Sequence, residues 1–168
     1  MFSRSDDHGS RAGLRPGTVR MWRFGSHFSS EDGTARAFSV QSGPRRQAVL
    51  GGQDRVGDEP RLVIDFARGR PLLSARGQQV GERHKNVVRL WTREYRIHRR
   101  RFRTRLRFDV IVAESVVLEV CQQSEPGRTV RTLETHHAPD LDPLVVLSLI
   151  LLEGRPDRMT ILNEAFRS

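Results

Sequence analysis

The nine residues 144–152 (LVVLSLILL) are apolar at every position except Ser148, and they constrain the fold more than any other part of the chain. Asp142 is a good N-cap ahead of them and Pro143 suits the first helical position. Glu153 closes the run, Gly154 can supply a left-handed stop, and Pro156 prevents continuation. About eleven residues, 143–153, make roughly 16 Å of helix, half of the ~30 Å hydrocarbon core that a membrane span must cross. A helix that is apolar all round must be enclosed on all sides, and the rest of the chain has to do the enclosing. Val145, Val146 and Ile150 are β-branched and would also suit a buried strand pair, but the caps agree with the length of a helix.

What precedes this segment is a series of short apolar or alternating runs. They are residues 21–28, 35–41, 47–50, 61–66, 71–75, 87–91, 102–113, 116–122 and 129–135, separated by Gly, Pro, Asp and Ser. Phe102, Thr104, Leu106, Phe108, Val110 and Val112 share one phase, with Arg103, Arg105 and Arg107 in the other. Short strands at near-regular spacing with turn residues between them predict a mainly β protein, an antiparallel sheet closed as a barrel or sandwich. Residues 1–19 hold almost nothing to bury and read as a disordered tail. The barrel domain is expected over 20–156, and 157–168 (DRMTILNEAFRS) as a short amphipathic segment. Residues 51–60 read as a long polar loop.

Composition narrows the partners. Lys plus Arg number 29 against 20 Asp plus Glu, a formal charge of +9, and Lys85 is the single lysine. Such a balance favours phosphate-rich nucleic acid or an anionic lipid surface as a partner. One cysteine, Cys121, excludes an intrachain disulfide framework and any Cys-based zinc site. There is no transmembrane-length apolar run and no signal-peptide core, so a cytoplasmic protein, peripheral at most to a membrane, is expected.

The order of strands followed by one wholly apolar helix resembles the tubby-like barrel, in which a closed antiparallel barrel wraps a hydrophobic C-terminal helix. Tubby domains, phospholipid scramblases and LURP-one-related proteins share it. The N-terminal half is most similar to the LURP-one-related group, through Phe24-Gly25-Ser26-His27-Phe28, Glu31-Asp32-Gly33 and Ala37-Phe38-Ser39-Val40. Further matches are Leu62-Val63-Ile64-Asp65-Phe66, Arg68-Gly69-Arg70 and Pro71-Leu72-Leu73-Ser74. The ending Asp140-Leu141-Asp142-Pro143-Leu144-Val145-Val146-Leu147 resembles the family's acidic residues ahead of an apolar helix. The resemblance implies the barrel and association with membranes. It would also imply a cysteine-rich acylation site for a scramblase, which a lone Cys121 does not supply.

The densest chemical feature is residues 93–107, where eight of fifteen residues are Arg and one is acidic. As a hairpin, Tyr95 and Ile97 face in, the turn falls near Arg99 and Arg100, and Arg101, Arg103, Arg105 and Arg107 form a row on the solvent face. As a helix, Arg93, Arg96, Arg100, Arg103 and Arg107 make one stripe, with Trp91, Tyr95, His98, Phe102 and Leu106 opposite. Either geometry concentrates guanidinium groups, which bind phosphates by bidentate, charge-assisted hydrogen bonds. The candidate headgroup-binding residues are therefore Arg96, Arg99, Arg100, Arg101, Arg103, Arg105 and Arg107. The expected partner is an anionic phospholipid such as a phosphoinositide. A nucleic-acid backbone gripped by the same arginines, or an interaction scaffold whose charge is incidental, are the alternatives.

The remaining inventory is thin. Gly51-Gly52-Gln53 is the tripeptide peptide-chain release factors use, but its context is not theirs and a Gly-rich turn explains it. Glu134, His136, His137, Asp140 and Asp142 are the only candidate metal ligands. Adjacent histidines on a strand point to opposite faces, and Asp142 has a capping role, so no metal site is expected. Cys121 sits in a strand-like run and reads as a small hydrophobe. No nucleophile elbow or phosphate-cradling loop is present, so neither catalysis nor a cofactor is expected.

Overall fold

The computed structural model describes residues 13–22, 27–30, 35–42, 45–52, 61–66, 70–100, 106–123 and 130–154. Twelve strands and one helix follow in chain order: β1 (Arg15–Trp22), β2 (His27–Ser30), β3 (Ala35–Ser42), β4 (Arg45–Gly52), β5 (Leu62–Asp65), β6 (Leu72–Ala75), β7 (Gln78–His84), β8 (Val87–Leu90), β9 (Arg93–Arg99), β10 (Arg107–Val112), β11 (Ser115–Gln122), β12 (Val130–His137) and α1 (Pro143–Gly154). Among the described residues the protein is mainly β and antiparallel, with one helix after the strands, as the sequence predicts. Each strand pairs with its neighbours in the chain, and β1 pairs with both β2 and β12, so the ladders run round as a closed barrel.

Alternation explains why these residues form this wall. Val19, Leu50, Leu62, Ile64, Leu73, Val88, Leu90, Tyr95, Ile97, Phe108, Val110, Leu118, Val120 and Leu133 are all buried, on strands whose intervening residues face outward. α1 supplies the rest of the core: every residue from 144 to 153 is buried, Ser148 included. Ser148 donates its hydroxyl to the Leu144 carbonyl at 2.7 Å, which satisfies the one polar group inside the helix. The helix lies nearest β2, β3 and β4. There the buried side chains include Ala37 and Ala48, both fully enclosed. Small residues on that wall let the helix axis come close, while Tyr95, Ile97, Phe108 and Leu118 fill the wider side.

The N-cap acts as read from the sequence. Asp142 Oδ1 accepts from the Leu144 amide at 2.8 Å, and its carbonyl accepts from Val145 and Val146 at 2.9 and 3.1 Å. Gly154 is the last helical residue rather than a stop beyond the helix. Two glycines are required by close approach. A Cβ on Gly81 would meet the Arg89 carbonyl oxygen at 2.3 Å, and one on Gly17 would meet Thr135 Oγ1 at 2.8 Å.

Four expectations are corrected. The tail expected over 1–19 ends earlier, because residues 15–19 belong to β1 and pair with β12 from Arg15↔His137 onward; residues 1–12 lie outside the described residues. Within β1, Gly17 leaves room for Thr135 Oγ1 on β12. Gly51 and Gly52 belong to β4 rather than to a loop; residues 53–60 lie outside the described residues. Strand β7 was not visible in the sequence, because its inward phase carries Gly81 and Arg83 in place of large apolar side chains. Cys121 stands exposed on the outer face of β11, since Val120 takes the inward position. The expected amphipathic segment 157–168 lies outside the described residues.

Leu149→Ala is expected to destabilise the barrel by about 2–5 kcal/mol, the usual range for a large side chain lost from a packed core. Ser148→Ala is expected to be nearly neutral. Urea unfolding followed by circular dichroism separates the two.

Candidate functional site: the arginine-bearing rim

The up-and-down order of the strands sends successive connections to alternate ends of the barrel. The β7–β8 turn, the β9–β10 connection and the C-terminus of α1 share one rim, while the β8–β9 and β10–β11 turns and the entry to α1 share the other. Charge is segregated in the same way. At the helix C-terminal rim the described residues of the connections carry three cations (Arg70, Lys85 and Arg100) and no acid. At the opposite rim they carry two cations (Arg61 and Arg76) and three acids (Glu114, Asp140 and Asp142).

Residues 93–99 form strand β9, not a helix, and β10 begins at Arg107; residues 101–105 lie outside the described residues. Tyr95 and Ile97 are buried as expected, and β9 pairs with β10 from Arg99↔Phe108 to Arg96↔Ile111. Strand β10 begins at Arg107 rather than at Phe102; the Arg100 amide donates to the Arg107 carbonyl at 3.2 Å where the pairing ends. Of the seven candidate arginines, Arg96, Arg99 and Arg107 are exposed. Arg99 bonds Glu153, and Arg100 Nε lies 2.9 Å from Asp109 Oδ2 on β10. Arg101, Arg103 and Arg105 lie outside the described residues. The structure thus brings Arg99, Arg100 and Arg107 to the mouth of the cationic rim and leaves Arg96 on the outer wall, opposite Val87 and Ile111.

Sequence reasoning missed the polar cluster that closes this end of the barrel. Arg83 occupies the inward phase of β7, opposite Val88, and is buried. Its Nη1 donates to the Leu152 carbonyl and its Nη2 lies 2.9 Å from Glu153 Oε2. Its Nε donates to the Lys85 carbonyl at 2.8 Å. A guanidinium there satisfies a helix-terminal carbonyl and complements the negative end of the helix dipole. Glu153, only 2 % exposed at its side chain, accepts from Arg83 on one oxygen and from Arg99 on the other. Burial pushes the Arg83 pKa down from its usual value, though an arginine keeps its charge throughout the accessible range. The available signal was a cation at 83 and a carboxylate at the end of an enclosed helix, two groups that cannot be buried unpaired.

Two depressions flank the rim. One of about 440 Å³ is lined by Arg70, Glu82, His84, Lys85, Asn86, Val87, Arg89 and Glu94. A smaller one, about 190 Å³, lies on the outer wall between Arg100, Arg107, Asp109, Glu119, Val120, Cys121, Glu134 and His136. At the opposite rim Trp91 is exposed, Arg93 lies 3.5 Å from Asp140, and Arg93 also bonds Tyr95. Adjacent His136 and His137 diverge, as expected on a strand: His136 is exposed, and His137 Nδ1 sits 3.0 Å from the Ala138 carbonyl. Among the described residues no three His, Cys, Asp or Glu side chains are grouped to hold a metal ion, and no helix is long and apolar enough to cross a membrane.

Comparison with known protein families, with curated proteins and with solved structures gives no match to this chain. The geometry of the rim therefore has to speak for itself. It offers many guanidinium donors at one end of a rigid wall, some already oriented by carboxylates, which suits multivalent contact with phosphate oxygens.

Glu153→Gln is expected to destabilise the protein by about 3–5 kcal/mol, because it strands the buried Arg83 charge. Arg99→Ala should cost less than about 1 kcal/mol, since that side chain is half in solvent and its attraction is screened. Chemical denaturation of the two variants provides the comparison. Tyr95 generates a pH prediction. Burial, assisted by Asp140 and Asp142 and opposed by Arg93, raises its pKa above the usual 10.0. A raised folded pKa means the stabilisation is complete below about pH 10 and is lost as pH rises through the folded value. Alkaline unfolding should therefore steepen above that pH and flatten in Tyr95→Phe.

Proposed function

We propose that this chain is a non-enzymatic, peripheral binding protein. Its arginine-bearing rim meets anionic phospholipid headgroups, phosphoinositides among them, and its barrel is of the tubby-like, LURP-one-related type. The observation that carries the reading is the segregation of charge: among the described connection residues, three cations and no acid stand at the helix C-terminal rim, against two cations and three acids at the other. A surface of fixed phosphates is met by an end of a molecule, not by a belt around it, and each basic residue near such a surface adds about 1 kcal/mol. The acidic opposite rim would orient the barrel by repulsion from the same surface. The tubby-like assignment is supported by an enclosed apolar C-terminal helix following a meander of antiparallel strands. On this reading the protein is cytoplasmic and reaches the membrane by electrostatic contact.

The test is liposome sedimentation with Arg101→Glu/Arg103→Glu/Arg105→Glu. These three positions are preferable to Arg99 and Arg100, whose loss would disturb Glu153 and Asp109. At about 1 kcal/mol each, their removal should weaken binding to phosphoinositide vesicles at least roughly hundredfold. A structured RNA is assayed in parallel. Retention of RNA in preference to vesicles, with a steep salt dependence, would overturn the lipid reading in favour of phosphate-backbone binding.

A further inference from the structure

Lys85 is the only lysine among 168 residues that include 28 arginines. A reaction that needs a side-chain primary amine therefore has one address in this sequence, because guanidinium groups stay protonated and do not accept acyl groups. The residue is placed to be reached. It stands exposed in the two-residue turn between β7 and β8, at the left-handed φ of 55°. Its carbonyl is held by Arg83 Nε at 2.8 Å, and Arg83 is itself bonded to the end of α1. The amine thus projects from a base anchored in the core.

Lys85 lines the 440 Å³ groove together with two further cations, Arg70 and Arg89. Arg70 Nη1 lies 3.8 Å from Glu82, and Arg89 Nε lies 3.4 Å from Glu94. Each guanidinium carries five N–H donors, and one carboxylate does not use them all. A phosphate could dock on them with its attached group close to the amine.

We propose that Lys85 is an acylation site for activated acyl donors that carry phosphate, an acyl phosphate or the thioester of a phosphorylated thiol. The amine nitrogen attacks the acyl carbonyl carbon. The new N–C bond forms as the C–O bond to phosphate, or the C–S bond to the thiol, breaks. The leaving group keeps the electron pair and the amine proton passes to water. The product is a neutral amide, so one positive charge leaves the cationic rim. That last consequence rests on the headgroup-binding reading above; the acylation itself does not.

The full chain is incubated with acetyl phosphate, with acetyl-coenzyme A and with the phosphate-free thioester S-acetyl-N-acetylcysteamine, both folded and in concentrated urea. Adducts are read by intact mass and peptide mapping. Docking should make Lys85 in the folded chain react about tenfold faster than in the unfolded one with a phosphate-bearing donor, and no faster with the phosphate-free donor. Enhancement with one phosphate-bearing donor and not the other identifies the source. Arg89→Ala and Arg70→Ala, verified as folded by circular dichroism, should bring the ratio back toward one. A folded-to-unfolded ratio of one with both phosphate-bearing donors, or equal enhancement with the phosphate-free donor, overturns the proposal. Separately, Lys85→Gln should weaken vesicle binding about fivefold, the worth of one cation at a charged surface, and Lys85→Arg should not. Vesicle binding equal for Lys85→Gln and the unaltered chain overturns the charge consequence. Failure of the unaltered chain to bind vesicles at all overturns the headgroup reading while leaving the acylation result intact.

Discussion

A helix with no polar face cannot rest on a surface, and the architecture follows from that. Residues 144–153 are buried without exception, so the wall must pass round them, and strands paired edge to edge do so without leaving backbone donors open. The wall yields where the helix comes near, at Ala37 and Ala48, and thickens elsewhere with Tyr95, Ile97, Phe108 and Leu118. Both ends of the helix then need polar closure. Asp142 provides it at the N-terminus. At the C-terminus the Leu152 carbonyl and the Glu153 carboxylate converge on Arg83, a cation pointed into the barrel for that purpose.

Much of this could be read from the residues because the signals were local. The cap, the apolar run and the alternation at Tyr95–Ile97 and Phe108–Val110 each concern a few neighbouring positions. The parts that escaped depend on partners far away in sequence. Arg83 faces inward only because Glu153, seventy positions on, awaits it, and the polar strand β7 has no apolar phase to betray it. Strand β1 depends on β12, where Thr135 stands beside Gly17. Cys121 reads as a small apolar residue in a strand, and only the phase set by Val120 turns it outward. The candidate site was legible in the same uneven way. The β9–β10 pairing and its arginines could be anticipated, but the commitment of Arg99 to Glu153 and of Arg100 to Asp109 could not.

Those commitments change how the basic segment should be understood. An arginine pairing with an acid on its own barrel is oriented by that acid and carries little net field, so the excess charge available to a partner lies mainly in the connections. The same up-and-down topology that encloses the helix therefore sorts the chain's charges by end. The acids Glu114, Asp140 and Asp142 fall at one rim and the cations Arg70, Lys85 and Arg100 at the other, simply because alternate connections surface at alternate rims.

Closing the barrel through β1 and β12 sets the order in which the molecule can be made. Arg15 pairs with His137, so β1 has an unmatched edge until β12, the last of the twelve described strands, has been synthesised. The helix that fills the interior comes later still. Until then the chain is an open, twisted sheet with an apolar inner face and no filling, the condition in which strands find the wrong neighbours. Closing the ring therefore joins the first and last described strands around the helix. Trimming the chain before the helix would leave a sheet with nothing to wrap.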